Sequence, residues 1–155
     1  MSESMTPQQQ AEAVYTAMME RDRFSRWLGI ELVELAPEYA VLRMVVRDEM
    51  VNGFGVCHGG VTFAFADSAF AFACNTQGNV AVSIDASMSY PAGVRPGDVL
   101  TASAKEVSRS KRILYHQVDV TKADGTVVGL FRGTAYRTEK PHLLSPGSGP
   151  SDSAR

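Results

Sequence analysis

Apolar residues recur at helical spacing from about Pro7 to Trp27, through Ala11, Val14, Tyr15, Met18, Met19 and Phe24, and Gly29 ends the pattern. The spacing predicts an N-terminal helical segment. Residues 30–36 and 39–47 read as two short strands around Pro37-Glu38, a turn signal. The stretch from Gly59 to Cys74, GGVTFAFADSAFAFAC, is apolar on nearly every face of a helix, so a buried helix is expected there, with Gly78 as its stop. Four strand-like runs follow, at residues 80–90, 98–108, 113–121 and 126–138. In the first of them Val82, Ile84, Ala86, Met88 and Tyr90 alternate onto one side, and the last two join through Ala123-Asp124-Gly125, a hairpin turn.

The order is helix, two strands, one long apolar helix, four strands. It predicts an α+β domain in which an antiparallel sheet wraps a single central helix. One helix covers only one face of a sheet, and the other face and the edges need polar residues or partners. Val127, Val128, Leu130, Phe131 and Tyr136 make the last strand apolar on both sides, so self-association is expected. One domain spans residues 1–139, with 1–27 as its N-terminal helical segment, and residues 140–155, rich in Pro, Ser and Gly, are expected to form a disordered tail.

Composition narrows the function by exclusion. With 155 residues, 45% hydrophobic and 21% charged, the chain fits one soluble globular domain. Asp67 and Asn75 interrupt the longest apolar run, so neither a membrane span nor a membrane partner is expected. The N-terminus lacks the charged-then-apolar pattern of a secretory signal, and Cys57 and Cys74 make no disulfide framework, so a cytoplasmic location is expected. A net charge of −2 argues against a nucleic-acid partner. Arg109, Lys111 and Arg112 fall within four residues and are candidates for holding phosphates of a nucleotide-like ligand; a solvated turn explains the same cluster.

The chemistry concentrates around Asp67. A carboxylate on a buried helix needs a partner or a task. Upstream, Asn52 to Gly60 (NGFGVCHGG) is a polar, glycine-rich approach to the same helix, whose first N–H groups can face an anionic oxygen. Asp67 lies eight residues beyond Gly59, about 12 Å of helical rise. One carbonyl group cannot touch the Gly59 N–H and the Asp67 carboxylate of the same chain, so a site using both needs a second copy. Each residue also has a plainer reading. Asp67 fits a structural carboxylate, His58 a helix cap, Gly59 and Gly60 close packing, Asn52-Gly53 a turn, and Ser68 a structural helix hydroxyl. Cys57 as a thiol nucleophile and a zinc site from Cys57, His58, Asp67 and Cys74 both have weak spacing.

Asn52-Gly53, His58-Gly59-Gly60, Ala66 to Ala71 (ADSAFA) and Ala73-Cys74-Asn75 together resemble the phenylacetate-degradation (PaaI-type) branch of the hotdog-fold acyl-CoA thioesterases. The resemblance runs on through Tyr90, Pro96-Gly97-Asp98 and Leu130-Phe131-Arg132-Gly133, covering roughly residues 25 to 138. Tyr90-Pro91-Ala92-Gly93 departs from relatives, which often carry an aliphatic residue, Arg and Pro after the aromatic. The resemblance implies a hotdog fold, hydrolysis of an acyl-CoA thioester, no metal and no cofactor beyond the CoA carried by the substrate. It also implies a dimer or dimer of dimers, a homotetramer, with sites at subunit interfaces.

The implied mechanism has Asp67 either attack the thioester carbon, giving a mixed anhydride, or activate a water. The Gly59 N–H stabilises the oxygen as it gains charge. His58 and Asn52 orient the loop, the water or the carbonyl, and Ser68 offers a hydroxyl to a water or to the carboxylate. Arg109, Lys111 and Arg112 are then candidates for the CoA phosphates. The implied acyl group is phenylacetyl or a ring-hydroxylated form, with some of Phe63, Phe65, Phe70 and Phe72 lining its pocket. Two other classes stay open: a hotdog enoyl-CoA hydratase or dehydratase, and a non-catalytic acyl-CoA-binding sensor.

Overall fold

The computed structural model describes residues 4–143. Helix α1 (Pro7–Met19) starts in a capping box: the Thr6 hydroxyl accepts from the Gln9 N–H, and the Gln9 side chain accepts from the Thr6 N–H. The expected helical segment then breaks at residues 20–22. Asp22 accepts from the Ser25 N–H at 2.9 Å and so starts a second helix, α2 (Arg23–Leu28). Gly29 ends α2 in the left-handed conformation, φ 76°, where a side chain would be strained.

Strands β1 (Glu31–Ala36) and β2 (Tyr39–Val45) form the first hairpin, and a 3-10 turn (Asp48–Met50) leads to the loop before α3 (Gly59–Asn75). Strands β3 (Asn79–Ser89), β4 (Val99–Arg109), β5 (Ile113–Lys122) and β6 (Val127–Pro141) complete one antiparallel sheet in the order β1-β2-β4-β5-β6-β3. Helix α3 lies across β2 to β6, and α1 and α2 pack on one flank of it. This is the sheet-around-helix arrangement expected from the element order, and the hotdog fold that the resemblance implies. Tyr15 of α1 meets Phe72 of α3 edge-on, with ring centroids 4.9 Å apart, which fixes that flank.

Apolar residues of α3 face the sheet. Phe65, Ala66, Ala69, Phe70, Phe72 and Ala73 are buried against Leu42, Ala102, Ala104, Leu114, Val118 and Phe131. The strip of Ala64, Asp67 and Ala71 is only half-buried in a single chain, bordered by Phe63, whose ring meets Phe131 edge-on. The helix is therefore enclosed on the sheet side and open along the strip that carries Asp67.

Strand β3 corrects one expectation. Val82 lies opposite Tyr136, but Ala86 lies opposite Gly133 and Met88 opposite Phe131, with a register shift between Ser83 and Asp85. The extra residue at this bulge reverses the alternation. Val82 therefore shares the outer face with Tyr136, while Ala86 and Met88 face the helix. The five apolar residues do not form one stripe. Strand β6 runs to Pro141, past the expected domain limit at residue 139. His142 then docks on the helix end, its N–H donating to the Gly78 carbonyl and its Nε2 lying 2.5 Å from Asn75 Oδ1. The rest of the expected tail lies outside the described residues. No helix among the described residues is long and apolar enough to cross a membrane.

Candidate active site

The loop before α3 is held by its own backbone. Val51 and Cys57 form a bridge, the Asn52 N–H donates to the Val56 carbonyl at 2.8 Å, and Gly55 N–H returns to the Asn52 carbonyl at 3.0 Å. Gly55 sits at φ 75°, the conformation this tight turn requires. The Asn52 side-chain oxygen accepts from the Phe54 N–H, which leaves the Asn52 amide N–H₂ without an acceptor among the described residues. Two longer-range bonds seat the loop: Cys57 N–H donates to the Val94 carbonyl and His58 N–H to the Met50 carbonyl.

His58 is the N-cap of α3. Its backbone is extended, φ −60° and ψ 131°, and its Nδ1 accepts from the Gly60 N–H at 2.9 Å. A Cβ on residue 60 would approach that ring to 3.0 Å, so glycine there gives the cap its room. The His58 carbonyl accepts from the Val61 N–H at 2.9 Å. Because a peptide unit is planar and trans, this bond also aims the Gly59 N–H outward from the helix end. The Gly59 N–H has no acceptor among the described residues. It is a bare donor at the positive end of a helix, suited to an oxygen that gains charge.

Asp67 sits two turns further along. It makes no hydrogen bond and no ion pair among the described residues. Half-burial without a compensating partner pushes its carboxyl above the usual carboxylate range. An unpaired, partly desolvated carboxylate is a better base and nucleophile than a solvated or ion-paired one. Further along α3, burial and, secondarily, the Asp67 charge push the Cys74 thiol up to about 12. Burial likewise raises Cys57. Neither thiol is poised as a nucleophile. Among the described residues, no group of three or more His, Cys, Asp or Glu is gathered to hold a metal ion.

The remaining expected residues fall elsewhere. The Ser68 hydroxyl lies 3.0 Å from that of Ser25, which donates in turn to Asp22 at 2.6 Å. Ser68 thus ties α2 to α3, roughly 100° around the helix from Asp67, and forms no bond to the carboxylate. The Arg109 guanidinium is taken by Glu38 and Glu106 and also donates to Gln77. Arg112 pairs with Glu139 at 2.6 Å, and the Lys111 ammonium has no ion pair among the described residues. All three cations stand near the C-terminal end of α3, away from Gly59 of the same chain.

Two residues near these groups, Tyr90 and Arg137, are visible in the sequence as an aromatic of the resemblance and a cation beyond the Arg109–Arg112 cluster, but their contacts are not. The Tyr90 hydroxyl donates to the Gly59 carbonyl at 3.0 Å, and its ring lies 3.4 Å from where a Gly59 Cβ would stand. Tyr90 therefore walls Gly59, a contact between residues 31 apart in the chain. Arg137 donates to Gln77 and to the Lys111 carbonyl, beside the expected cation cluster. Its place on the helix side of β6 follows from alternation with Phe131, Gly133 and Ala135, while its two acceptors come from residues 26 and 60 positions away.

Comparison with known proteins identifies the family and the fold. Residues 54–129 match the model of the thioesterase superfamily. The acyl-coenzyme A thioesterase PaaI of Escherichia coli K12 is 36% identical over 121 residues, spanning 78% of this chain and 86% of that protein. Human acyl-coenzyme A thioesterase 13 is 33% identical over 137 residues, 86% of this chain and 96% of its own length. The structure of the E. coli PaaI protein superposes with a TM-score of 0.85 at 33% identity, covering 88% of this chain and 99% of that one. A mutant of the phenylacetic acid degradation protein PaaI from Thermus thermophilus gives 0.73 at 39% identity, covering 76% and 100%. The chain belongs to the thioesterase superfamily, in its PaaI-type hotdog-fold branch.

Proposed function

We propose that this protein hydrolyses acyl-CoA thioesters, with phenylacetyl-CoA or its ring-hydroxylated forms as the preferred substrates. The observation that carries the reading is the pairing on one helix of a half-buried, unpartnered Asp67 with a bare Gly59 N–H at the N-terminus. The thioester oxygen rests on the Gly59 N–H, with the free Asn52 amide and His58 at the rim of the same loop. Asp67 attacks the carbonyl carbon or draws a proton from the attacking water. The CoA thiolate is a good leaving group and needs no strong acid. The phenylacetyl preference draws support from the PaaI relatives and from the aromatic surroundings of α3, where Phe63 is half-buried beside Asp67.

The two groups belong to two copies of the chain. Eight residues of α3 separate them by about 12 Å, and the strip that carries Asp67 is left open by its own sheet. Strand β3 is a sheet edge, with Val82 and Ile84 46% and 57% exposed, and is a natural seam for a second copy. A dimer, or a tetramer made of two, brings Gly59 of one copy to Asp67 of the other. The direct test is a thiol-release screen across aryl and aliphatic acyl-CoAs, with Asp67→Asn as control. Phenylacetyl-CoA turnover abolished by Asp67→Asn supports the reading. No turnover of any acyl-CoA, or turnover indifferent to Asp67→Asn, overturns it.

A further inference from the structure

Gly59 is poorly suited to hold its own backbone still. It has no side chain, and it opens α3, where the first N–H groups have no intrahelical acceptor. A donor for developing charge works best when it is aimed before the charge appears. The aim of the Gly59 N–H depends on the two peptide planes that flank its Cα.

Beyond the helix's own ladder, three hydrogen bonds reach the backbone of residues 59–61 among the described residues. His58 makes two of them. Its carbonyl accepts from the Val61 N–H at 2.9 Å, and its Nδ1 accepts from the Gly60 N–H at 2.9 Å. The third comes from outside the loop and the helix: the Tyr90 hydroxyl, just past the end of β3, donates to the Gly59 carbonyl at 3.0 Å. The first bond holds the plane that carries the Gly59 N–H. The other two hold the plane that follows, one at its N–H and one at its carbonyl. With a plane held on each side, neither φ nor ψ of Gly59 turns freely. Without Tyr90, both planes would lean on His58 alone, which is an exposed side chain.

The Tyr90 ring fills the space beside Gly59, 3.4–3.5 Å from where a Cβ would stand. A tyrosine hydroxyl has one proton to donate. The Gly59 carbonyl takes it, so the hydroxyl cannot at the same time donate to a substrate oxygen. Burial pushes the phenol up from its ordinary value, which keeps that proton in place through the neutral range. Tyr90 also follows directly on β3, the edge strand at the proposed seam between two copies. The strand that would meet a second copy thus leads into the side chain that braces the donor.

We propose that Tyr90 is a positioning residue for thioester hydrolysis: its hydroxyl braces the Gly59 peptide so that the Gly59 N–H stays aimed at the reacting oxygen. Tyr90 acts through Gly59 and does not touch that oxygen. The assignment rests on the acyl-CoA reading above.

Tyr90→Phe keeps the ring and removes only the hydroxyl. On an acyl-CoA that the wild type turns over, kcat is expected to fall about tenfold, with KM within about twofold and Tm nearly unchanged. In the Gly59→Pro background, which lacks the donor itself, Tyr90→Phe is expected to lower kcat no further, because the brace has nothing left to aim. Unchanged kcat in Tyr90→Phe, or the full loss repeated in the Gly59→Pro background, overturns the proposal. A second readout needs no turnover. A ketone analogue of the acyl-CoA keeps the carbonyl oxygen, and a thioether analogue lacks it. Tyr90→Phe is expected to weaken the ketone by about threefold or more in Kd and to leave the thioether unchanged. Equal loss for both analogues, or loss for neither, overturns the proposal. If no thioester is hydrolysed and the wild-type preference for the ketone still falls in Tyr90→Phe, the brace stands while the hydrolytic reading fails.

Discussion

Gly59→Pro separates the chemistry of the helix end from its folding. Gly59 is the first residue of α3, where proline fits because its fixed φ suits the first turn and the N–H it removes has no intrahelical acceptor. The residue before a proline must be extended, and His58 already is, at φ −60° and ψ 131°. The new side-chain carbon meets the Tyr90 ring at 3.4–3.5 Å, ordinary contact distance. Nothing that stabilises the fold is lost, so the change in unfolding free energy is expected to stay within about 1 kcal/mol. The same substitution deletes the donor proposed to face the reacting oxygen and puts a ring carbon in its place. Loss of one such donor raises a barrier by about 3–4 kcal/mol, so kcat is expected to fall between about a hundredfold and a thousandfold. Urea unfolding and a thiol-release assay on the same preparation read both quantities. Activity within threefold of wild type would remove Gly59 from the mechanism, and a parallel collapse of stability would show that its role is structural.

Other substitutions separate packing from catalysis. Ser68→Ala cuts the link to Ser25 and is expected to destabilise α2 docking by about 1 kcal/mol with little change in kcat; a large drop in kcat at unchanged stability would return Ser68 to the site. His116 is 2% exposed with neither ring nitrogen partnered among the described residues, and burial lowers its pKa from 6.5 to about 4. The unfolded chain then takes up a proton that the folded one refuses, so stability is full above pH 6.5 and is lost as pH falls toward 4. That loss amounts to about 3 kcal/mol, and His116→Leu is expected to remove it; equal acid sensitivity of wild type and variant in urea titrations at fixed protein concentration would refute the assignment. A Cβ at Gly133 would stand 2.7–2.9 Å from the Phe70 ring, so Gly133→Ala is expected to cost about 1–3 kcal/mol by overpacking, read as a lowered Tm.

Much of the fold was legible in local pattern. The apolar run from Gly59, the glycine stop at residue 29 and the hairpin near Gly125 each follow from chemistry within a few neighbouring residues. One signal was available and passed over. Asp22 three residues before Ser25 is an N-cap pattern, and it splits the N-terminal helix. Similarly, Leu114, His116, Val118 and Val120 alternate, which puts His116 on the buried face by parity alone.

What stayed hidden is non-local. The bulge in β3 reverses a stripe because of how that strand registers on β6. The loss of Arg109 as a free cation depends on Glu38, and the wall on Gly59 depends on Tyr90, each far away in sequence. The core of the candidate site was legible for the opposite reason. Asn52, His58, Gly59 and Asp67 lie within one loop and one helix, so their spacing carries geometric meaning before any strand is paired.

The central claim, that Asp67 and Gly59 act on one thioester from two copies of the chain, is tested most directly by complementation. Asp67→Asn and Gly59→Pro are each expected to be nearly inactive when purified alone. Unfolded together in equal amounts and refolded, half of the dimers would be mixed, and each mixed dimer carries one intact site. The refolded mixture is then expected to regain about a quarter of the wild-type rate. A mixture that forms mixed dimers, as shown by native mass spectrometry, yet stays inactive would place both groups in one chain and contradict the claim.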